Sequence, residues 1–329
     1  MTGQASRAAA RGGPPSFARG ELEDPALSAA LHTLELTVRR RLDGLLHGDY
    51  HGLIPGPGTE PGDAREYQPG DDVRLMDWSV TARTTVPHMR MPIADRELET
   101  SLVVDLSASL DFGTAHCEKR DLAVAACAAI TYLTLRGGNR IGAVIDTGSE
   151  RIRIPARSGR VHARTLLRAI ATTQRPADGV RGDLAGAIES LRRRRSRRGL
   201  VVVVSDFLGD PDWERPLRGI AAANDVLGVE VLDPRDIALP DVGTVILRDP
   251  ESGRTREFTT TAKVRSDFAA ASAAHRDVVS RVFRSNGAPM LRLRTDRDWM
   301  ADTARFVATR RRLDAGAMAT SAPGAEAAL

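Results

Sequence analysis

Two short segments of this chain carry apolar residues without the alternation of a half-exposed strand, and they constrain the fold more than any other feature. Residues 200–205 read LVVVVS and residues 101–106 read SLVVDL. A strand with one face in water alternates apolar and polar residues, so continuous runs belong to strands covered on both faces, as in parallel sheets. Helical stretches at residues 115–135, 160–172, 183–195 and 213–223 separate these runs from strands at 140–146, 151–154 and 226–232. Strands alternating with helices predict an α/β fold, a mostly parallel, Rossmann-like sheet flanked by helices. A hairpin (242–247 and 254–259 around the turn-forming DPESG), a long helix (262–285), a strand (289–293) and a last helix (299–312) complete it.

Upstream, Leu27, Leu31, Leu34, Val38, Leu42 and Leu45 fall at helical spacing, which predicts one amphipathic helix over 21–46. Residues 47–72 are too rich in Gly and Pro for regular structure over most of their length. The expected organisation is a disordered tail (1–20), an N-terminal region of helix plus irregular chain (21–98), an α/β domain (99–312) and a second disordered tail (313–329).

With 329 residues and 42% hydrophobic content, the chain has ample material for a core, which excludes a disordered or fibrous protein. Only two of its 47 basic residues are lysines, Lys119 and Lys263, and the arginines are spread along the chain and nearly balanced by 43 acids. A nucleic-acid binder gathers its basic residues on one element or face, so that class is not expected. The run Arg192 to Arg198, broken only by Ser196, ends a predicted helix, where cations are favoured in any case. Cys117 and Cys127 lie ten apart on one predicted helix, too far for a direct disulfide, and fit a reduced, cytoplasmic chain. The longest near-apolar stretch, 122–135, falls short of the ~20 residues that cross a bilayer, and residues 1–20 lack the apolar core of a secretory signal.

Chemistry concentrates where strands end. The first apolar strand runs into Asp105-Leu106-Ser107-Ala108-Ser109, the most apolar one into Ser205-Asp206. In an open α/β sheet, functional groups gather at the carboxyl ends of strands, and right-handed crossovers would bring these two together. Two carboxylates and two hydroxyls are hard oxygen ligands that suit Mg²⁺ or Mn²⁺, with no Cys or His offered for zinc. The alternative is that the acids cap helices and the serines end a strand, and a five-residue pattern leaves both open.

The combination Asp105-Leu-Ser107-Ala-Ser109 with Ser205-Asp206-Phe207 resembles the metal-ion-dependent adhesion site of von Willebrand factor A domains. The block from Arg65 through Gly70-Asp71-Asp72-Val-Arg74-Leu-Met-Asp77-Trp78, with Arg83 after it, resembles the signature of the bacterial family called domain of unknown function 58. Leu232-Asp233-Pro234-Arg235-Asp236 and Leu239-Pro240-Asp241-Val242-Gly243 match that family too, and the likeness covers about residues 38–312. By this resemblance Ser107 and Ser109 would bind the ion directly, and Asp105 and Asp206 would act through water. Gly182 departs from the pattern: it stands where the family has a threonine ligand, and either Asp183 substitutes for it or the site binds the ion weakly or not at all; with four of five positions kept, metal binding is the expectation.

In the signature block, Asp71, Asp72 and Asp77 near Arg65, Arg74 and Arg83 are either a second functional surface or, the favoured reading, a structural ion-pair lattice with Tyr67 and Trp78 as apolar anchors. The glycines between 52 and 58 lack the ending of a phosphate loop. Cys117, at a helix start with no visible base, reads as inert.

By resemblance, such proteins work beside ATPases of the MoxR type, in the AAA+ class, to assemble or mature a client protein. The expectation is therefore a non-catalytic, Mg²⁺-dependent adaptor. Two alternatives compete with it: a Mg²⁺-dependent phosphohydrolase or nuclease using Asp105 and Asp206, and a structural domain whose metal site has decayed.

Overall fold

A six-stranded sheet lies between two helical layers, and almost every residue of its central strands is buried. The structure is a computed structural model that describes residue 14 and residues 24–45, 64–68, 76, 78–90, 99–136, 138–177, 179–193 and 199–320. The chain divides into two compact units, Met1–Ile54 with Leu98–Leu329, and Pro55–Glu97.

The larger unit begins with helix α1 (Asp24–Leu45). The smaller unit holds β1 (Ala64–Glu66), α2 (Trp78–Thr84) and β2 (His88–Arg90), with β1 and β2 paired antiparallel. The larger unit resumes with β3 (Glu99–Asp105), α3 (Lys119–Arg136), β4 (Arg140–Asp146), β5 (Arg151–Arg157), α4 (Arg160–Thr172), α5 (Leu184–Arg192) and β6 (Gly199–Ser205). It closes with α6 (Glu214–Ala221), β7 (Asp225–Leu232), α7 (Pro234–Ile237), β8 (Thr244–Arg248), β9 (Thr255–Thr259), α8 (Ala262–Ser285), β10 (Met290–Arg294) and α9 (Trp299–Thr320).

The strand order is β10-β7-β6-β3-β4-β5, parallel throughout except for β5, which returns antiparallel beside β4. Successive side chains of a strand point to opposite faces, and here both faces are covered. Leu102, Val104, Val202 and Val204 pack with α1, α3, α4 and α9. Val103, Val201 and Val203 pack with α5, α6 and α8. This is the physical reason that β3 and β6 read as unbroken apolar runs.

The near-apolar stretch in α3 has the same cause. Leu122 through Leu133 are buried on every side of the helix, because α1 lies across the face that the sheet leaves open, contributing Leu31, Leu34 and Val38. A helix hydrophobic all round is a buried one, and among the described residues no helix is long and apolar enough to cross a membrane.

On the second face Phe207, Trp213 and Phe283 form an aromatic trio with ring centroids 5.1 to 5.6 Å apart. Gly228 in β7 lies under it, where a Cβ would come 2.6 Å from the Phe283 ring.

Among the boundaries that differ from the sequence reading, two matter most, while β5 also runs on to Arg157. Helix α3 starts at Lys119, so Cys117 precedes it rather than sharing a helix with Cys127. Helix α9 continues to Thr320, through the Ala-rich residues 314–320 expected to be disordered, since alanine and methionine propagate a helix readily. The expected tail over residues 1–20 lies outside the described residues apart from residue 14, as does 321–329.

Candidate functional site

The connections out of β3 and into β6 place the site. From β3 the chain moves to β4 on one side, and β6 then pairs with β3 on the other, so the strand order reverses between β3 and β6. Such a reversal opens a crevice at the carboxyl ends of the two strands, and Asp105, Ser205 and Asp206 stand there.

Asp105 is buried, and both of its carboxylate oxygens accept hydrogen bonds. Oδ1 takes one from the Ser107 amide at 2.9 Å, and Oδ2 takes one from the Ser205 hydroxyl at 2.7 Å. A single 3₁₀ turn, Ala108–Leu110, follows and sets the hydroxyl oxygens of Ser107 and Ser109 3.2 Å apart. Burial, then repulsion from Asp206, push the Asp105 pKa up to about 6, against the opposing hydrogen bonds from Ser205 and Ser107.

After β6 the chain turns sharply. The Ser205 hydroxyl accepts the Phe207 amide at 3.0 Å, and Phe207 adopts φ +53°, a left-handed conformation unusual for a bulky residue. Its ring is held in the aromatic trio, and His275 Nε2 lies 2.6 Å from its carbonyl oxygen.

Lys119, the first residue of α3, is the group that sequence reasoning missed. Its ammonium donates to Asp206 Oδ2 at 2.7 Å and lies 3.2 Å from Asp236 Oδ2, with the lysine side chain 1% exposed. Burial opposes its charge, but Asp206 and then Asp236 outweigh that penalty and hold the pKa above its ordinary value. Asp236 is itself fixed by a capping box at α7, shared with Asp233. Asp233, fully buried, accepts from the Thr114 amide (2.8 Å), the Thr114 hydroxyl (2.6 Å) and the Thr295 hydroxyl (2.7 Å). The Leu232-Asp233-Pro234-Arg235-Asp236 segment therefore ties the loops that follow β3, β7 and β10.

Gly182 does lie at the site. A Cβ there would sit 2.9 Å from Ser107 Cβ, 3.2 Å from Ser107 Oγ and 3.5 Å from Asp105 Oδ1. The two loops approach so closely that no side chain fits at 182 unless they separate. Asp183 is engaged elsewhere: it caps α5, Oδ1 accepting the Gly186 amide at 2.8 Å, while Oδ2 pairs with Arg151 at 2.7 Å. Burial, the largest single influence, raises its pKa, but the Gly186 amide and Arg151 together more than reverse this and hold it below the ordinary value.

These contacts test whether the residues suit a divalent ion. The paired serine hydroxyls have the spacing of adjacent oxygen ligands. The rest of the set is committed: Asp105 to Ser107 and Ser205, Asp206 to an ammonium, Asp183 to Arg151, with no side-chain oxygen on residue 182. Among the described residues, no three His, Cys, Asp or Glu side chains gather in a metal-binding cluster. As arranged, the residues do not fit a resident magnesium or manganese ion.

Above the site lies a half-open cavity of about 510 Å³, lined in part by Ser109, Phe112, Lys119, Leu208, Arg235 and Glu251. Glu251 belongs to the turn between β8 and β9; burial first, then the Asp206 and Asp105 carboxylates, raise its pKa.

The remaining described candidates of the signature block lie in the smaller unit. Arg65 lies in β1, Trp78 opens α2 at 70% exposure rather than serving as a buried anchor, and Arg83 is exposed in the last turn of α2. Asp71, Asp72, Arg74 and Asp77 lie outside the described residues, as do the glycines between 52 and 58. Burial, with Asp121, Asp233 and Glu118 nearby, pushes the Cys117 thiol far up, which disfavours the nucleophilic thiolate. Arg192 and Arg193 fold back on Glu189 at 2.6 and 3.2 Å, while 194–198 lie outside the described residues.

A family model with the description "Protein of unknown function DUF58" matches residues 63–278. The chain belongs to the DUF58 family. The DUF58 match takes in most of the smaller unit and the larger unit from β3 into α8, leaving α1, β10 and α9 outside it. Uncharacterized proteins of Mycobacterium tuberculosis and Mycobacterium bovis are 66% identical over 299 residues, covering 91% of this chain and 94% of theirs. Similar solved structures include the conserved hypothetical protein BatB from Bacteroides thetaiotaomicron, with TM-score 0.40, 12% identity, and coverage of 65% of this chain and 99% of that one. The VWA domain of SpRpn10 is similar at TM-score 0.34 and 11% identity, with 62% of this chain and 92% of that chain covered.

Proposed function

We propose that this DUF58 protein is a non-catalytic protein-interaction module whose partner docks on the carboxyl edge of the sheet, over the cavity above Ser109 and Lys119. The observation that carries this reading is the rim of the cavity. Phe112 and Leu208 expose 40% and 43% of their surface around a floor of mutually satisfied charges. Exposed apolar side chains clustered at one edge of a cavity mark a candidate contact surface. Asp105 and Asp206, the carboxylates of the phosphohydrolase alternative, already accept hydrogen bonds from Ser107, Ser205, Lys119 and the Leu208 amide. The family resemblance, rather than the geometry, supplies the partner: a MoxR-type AAA+ ATPase, with a client protein that the pair assembles or matures. The magnesium that the same resemblance implies is the part of the expectation with least support from these residues.

The test is a pull-down from the native host with the purified full chain. The arms are wild type, Leu208→Asp on the rim, and Val161→Asp as a control at the start of α4, where residue 161 is 81% exposed. An AAA+ ATPase captured by wild type and Val161→Asp but not by Leu208→Asp supports the reading. Capture unaffected by Leu208→Asp removes the docking surface, and no ATPase in any arm removes the partner. Hydrolysis of a generic phosphoester in Mg²⁺, abolished by Asp105→Ala, would turn the assignment to a phosphohydrolase.

A further inference from the structure

We infer that Lys119 is the resident cation of this site, a side-chain ammonium that holds the loops at the carboxyl edge together in place of a bound divalent ion, so that the module works without metal. The inference rests on the site placed in the proposed function, but its test needs no partner.

Four observations converge on it. The first is position. Lys119 Nζ joins three separate stretches of chain: the start of α3, the end of β6 through Asp206, and α7 through Asp236. A central cation gathers loops in this way, with anionic oxygens drawn in from different strand ends.

The second is cost. A lysine at the first position of a helix opposes the helix dipole, and a side chain 1% exposed has lost nearly all its hydration. Such a charge is tolerated only when paired, and here two carboxylates within 3.2 Å pair it, with the Phe112 ring 5.7 Å away.

The third is residue choice. Of 47 basic residues, two are lysines. The other, Lys263, is 84% exposed beside Asp267. An ammonium is a compact point charge that fits between two carboxylates approaching from different directions, whereas a guanidinium is a wide planar fork. The buried position carries the residue type that suits its geometry, in a chain whose basic residues are otherwise arginine except for Lys263.

The fourth is the ligand set. A divalent ion at Ser107 and Ser109 would need Asp206 to face it, and Asp206 is neutralised by Lys119. It would also need a side-chain oxygen from the 182 loop. Gly182 has no side chain, and the backbone there is too close to Ser107 to admit one.

The test is Mn²⁺ binding to the purified full chain, followed by the electron paramagnetic resonance signal of free Mn²⁺, with thermal melts in Mg²⁺ and in EDTA. The expected result for wild type is an undiminished Mn²⁺ signal and equal melting temperatures in the two buffers. Lys119→Met leaves Asp206 and Asp236 without their cation, so its melting temperature falls by roughly 10 °C in EDTA and is partly restored by millimolar Mg²⁺. Lys119→Arg, which keeps the charge but not the shape, also melts lower than wild type. Stoichiometric loss of the Mn²⁺ signal with wild type, or a wild-type melting temperature that rises in Mg²⁺, would overturn the inference. So would an unchanged melting temperature for Lys119→Met. The wild-type measurement decides the matter even where the variants do not fold, and a failed pull-down leaves it untouched.

Discussion

Gly182 and Ser107 face each other across the carboxyl edge of the sheet at a separation that leaves room for hydrogen only: a Cβ on residue 182 would lie 2.9 Å from the Cβ of Ser107. The resemblance to adhesion-type sites makes Gly182→Thr the obvious way to complete a metal site. The geometry gives the opposite outcome. The added side chain must drive the 182 loop away from Ser107, and overpacking of this kind costs about 1–3 kcal/mol. Gly182→Thr is therefore expected to melt lower than wild type and to gain no Mn²⁺ affinity. Thermal melts and Mn²⁺ titration check it, and a variant of unchanged stability that binds Mn²⁺ would show that the loops separate freely.

A pH dependence follows from Asp105. Its folded-state pKa stands at about 6 against an ordinary 3.8, so the folded protein holds a proton there that the unfolded chain has released. That contribution to stability is fully present below about pH 4 and is lost as the pH rises through 6. At one pKa unit to about 1.4 kcal/mol, the loss reaches up to about 3 kcal/mol. Asp105→Asn stays neutral throughout, so its stability relative to wild type should improve by about that amount between pH 4 and pH 7.5. Urea unfolding of both proteins at the two pH values measures it, and a constant difference would mean that Asp105 ionises normally.

The parts of this site that could be read from the sequence are local ones. Asp105, Ser107 and Ser109 lie within one strand end and one turn, where the spacing of residues already fixes who meets whom. Strands β3 and β6 were legible because burial on both faces removes alternation, and the α/β class followed. What the sequence did not show depends on contacts between distant segments. Lys119 and Asp206 are separated by 87 positions, Arg151 and Asp183 by 32. No periodicity records either pairing, so Asp206 and Asp183 read as free oxygens when both are held by cations. Lysine scarcity was visible, but only burial gives it meaning. The start of α3 was placed too early because Ala115 and Cys117 extend its apolar pattern, although the chain turns at 113–118 to place Thr114 on Asp233.

Asp233 offers a third test, of the structural role of the Leu232–Asp236 segment. Its carboxylate accepts from Thr114 twice, from Thr295 and from the Arg235 amide at 2.9 Å, all at a fully buried position. Removing it strands these donors, each at a cost of about 1–3 kcal/mol when left unpaired. Asp233→Ala should lower unfolding free energy by at least about 3 kcal/mol, and Asp233→Asn by less, because the amide oxygen can still accept. Hydrogen exchange should show the loops after β3 and β10 opening together in Asp233→Ala. Exchange confined to one loop would mean that they are held independently.

The aromatic trio sets the final prediction. Gly228 lies in β7 beneath Phe283, and a Cβ would come 2.6 Å from its ring, which is 1% exposed and wedged between Phe207 and Trp213. The ring cannot swing aside without disturbing Phe207, whose left-handed backbone carries the chain out of β6 directly after Asp206. Gly228→Ala should therefore cost about 1–3 kcal/mol as an overpacked core. Phe283→Leu alone should also destabilise, by loss of ring contacts. The two changes together should cost less than their sum, because each relieves the other, and a coupling of at least about 0.5 kcal/mol in a double-mutant cycle is expected. Additive costs would mean that the backbone of β7, rather than the Phe283 ring, yields to the methyl group, and the turn after Asp206 would then be insulated from this layer of the core.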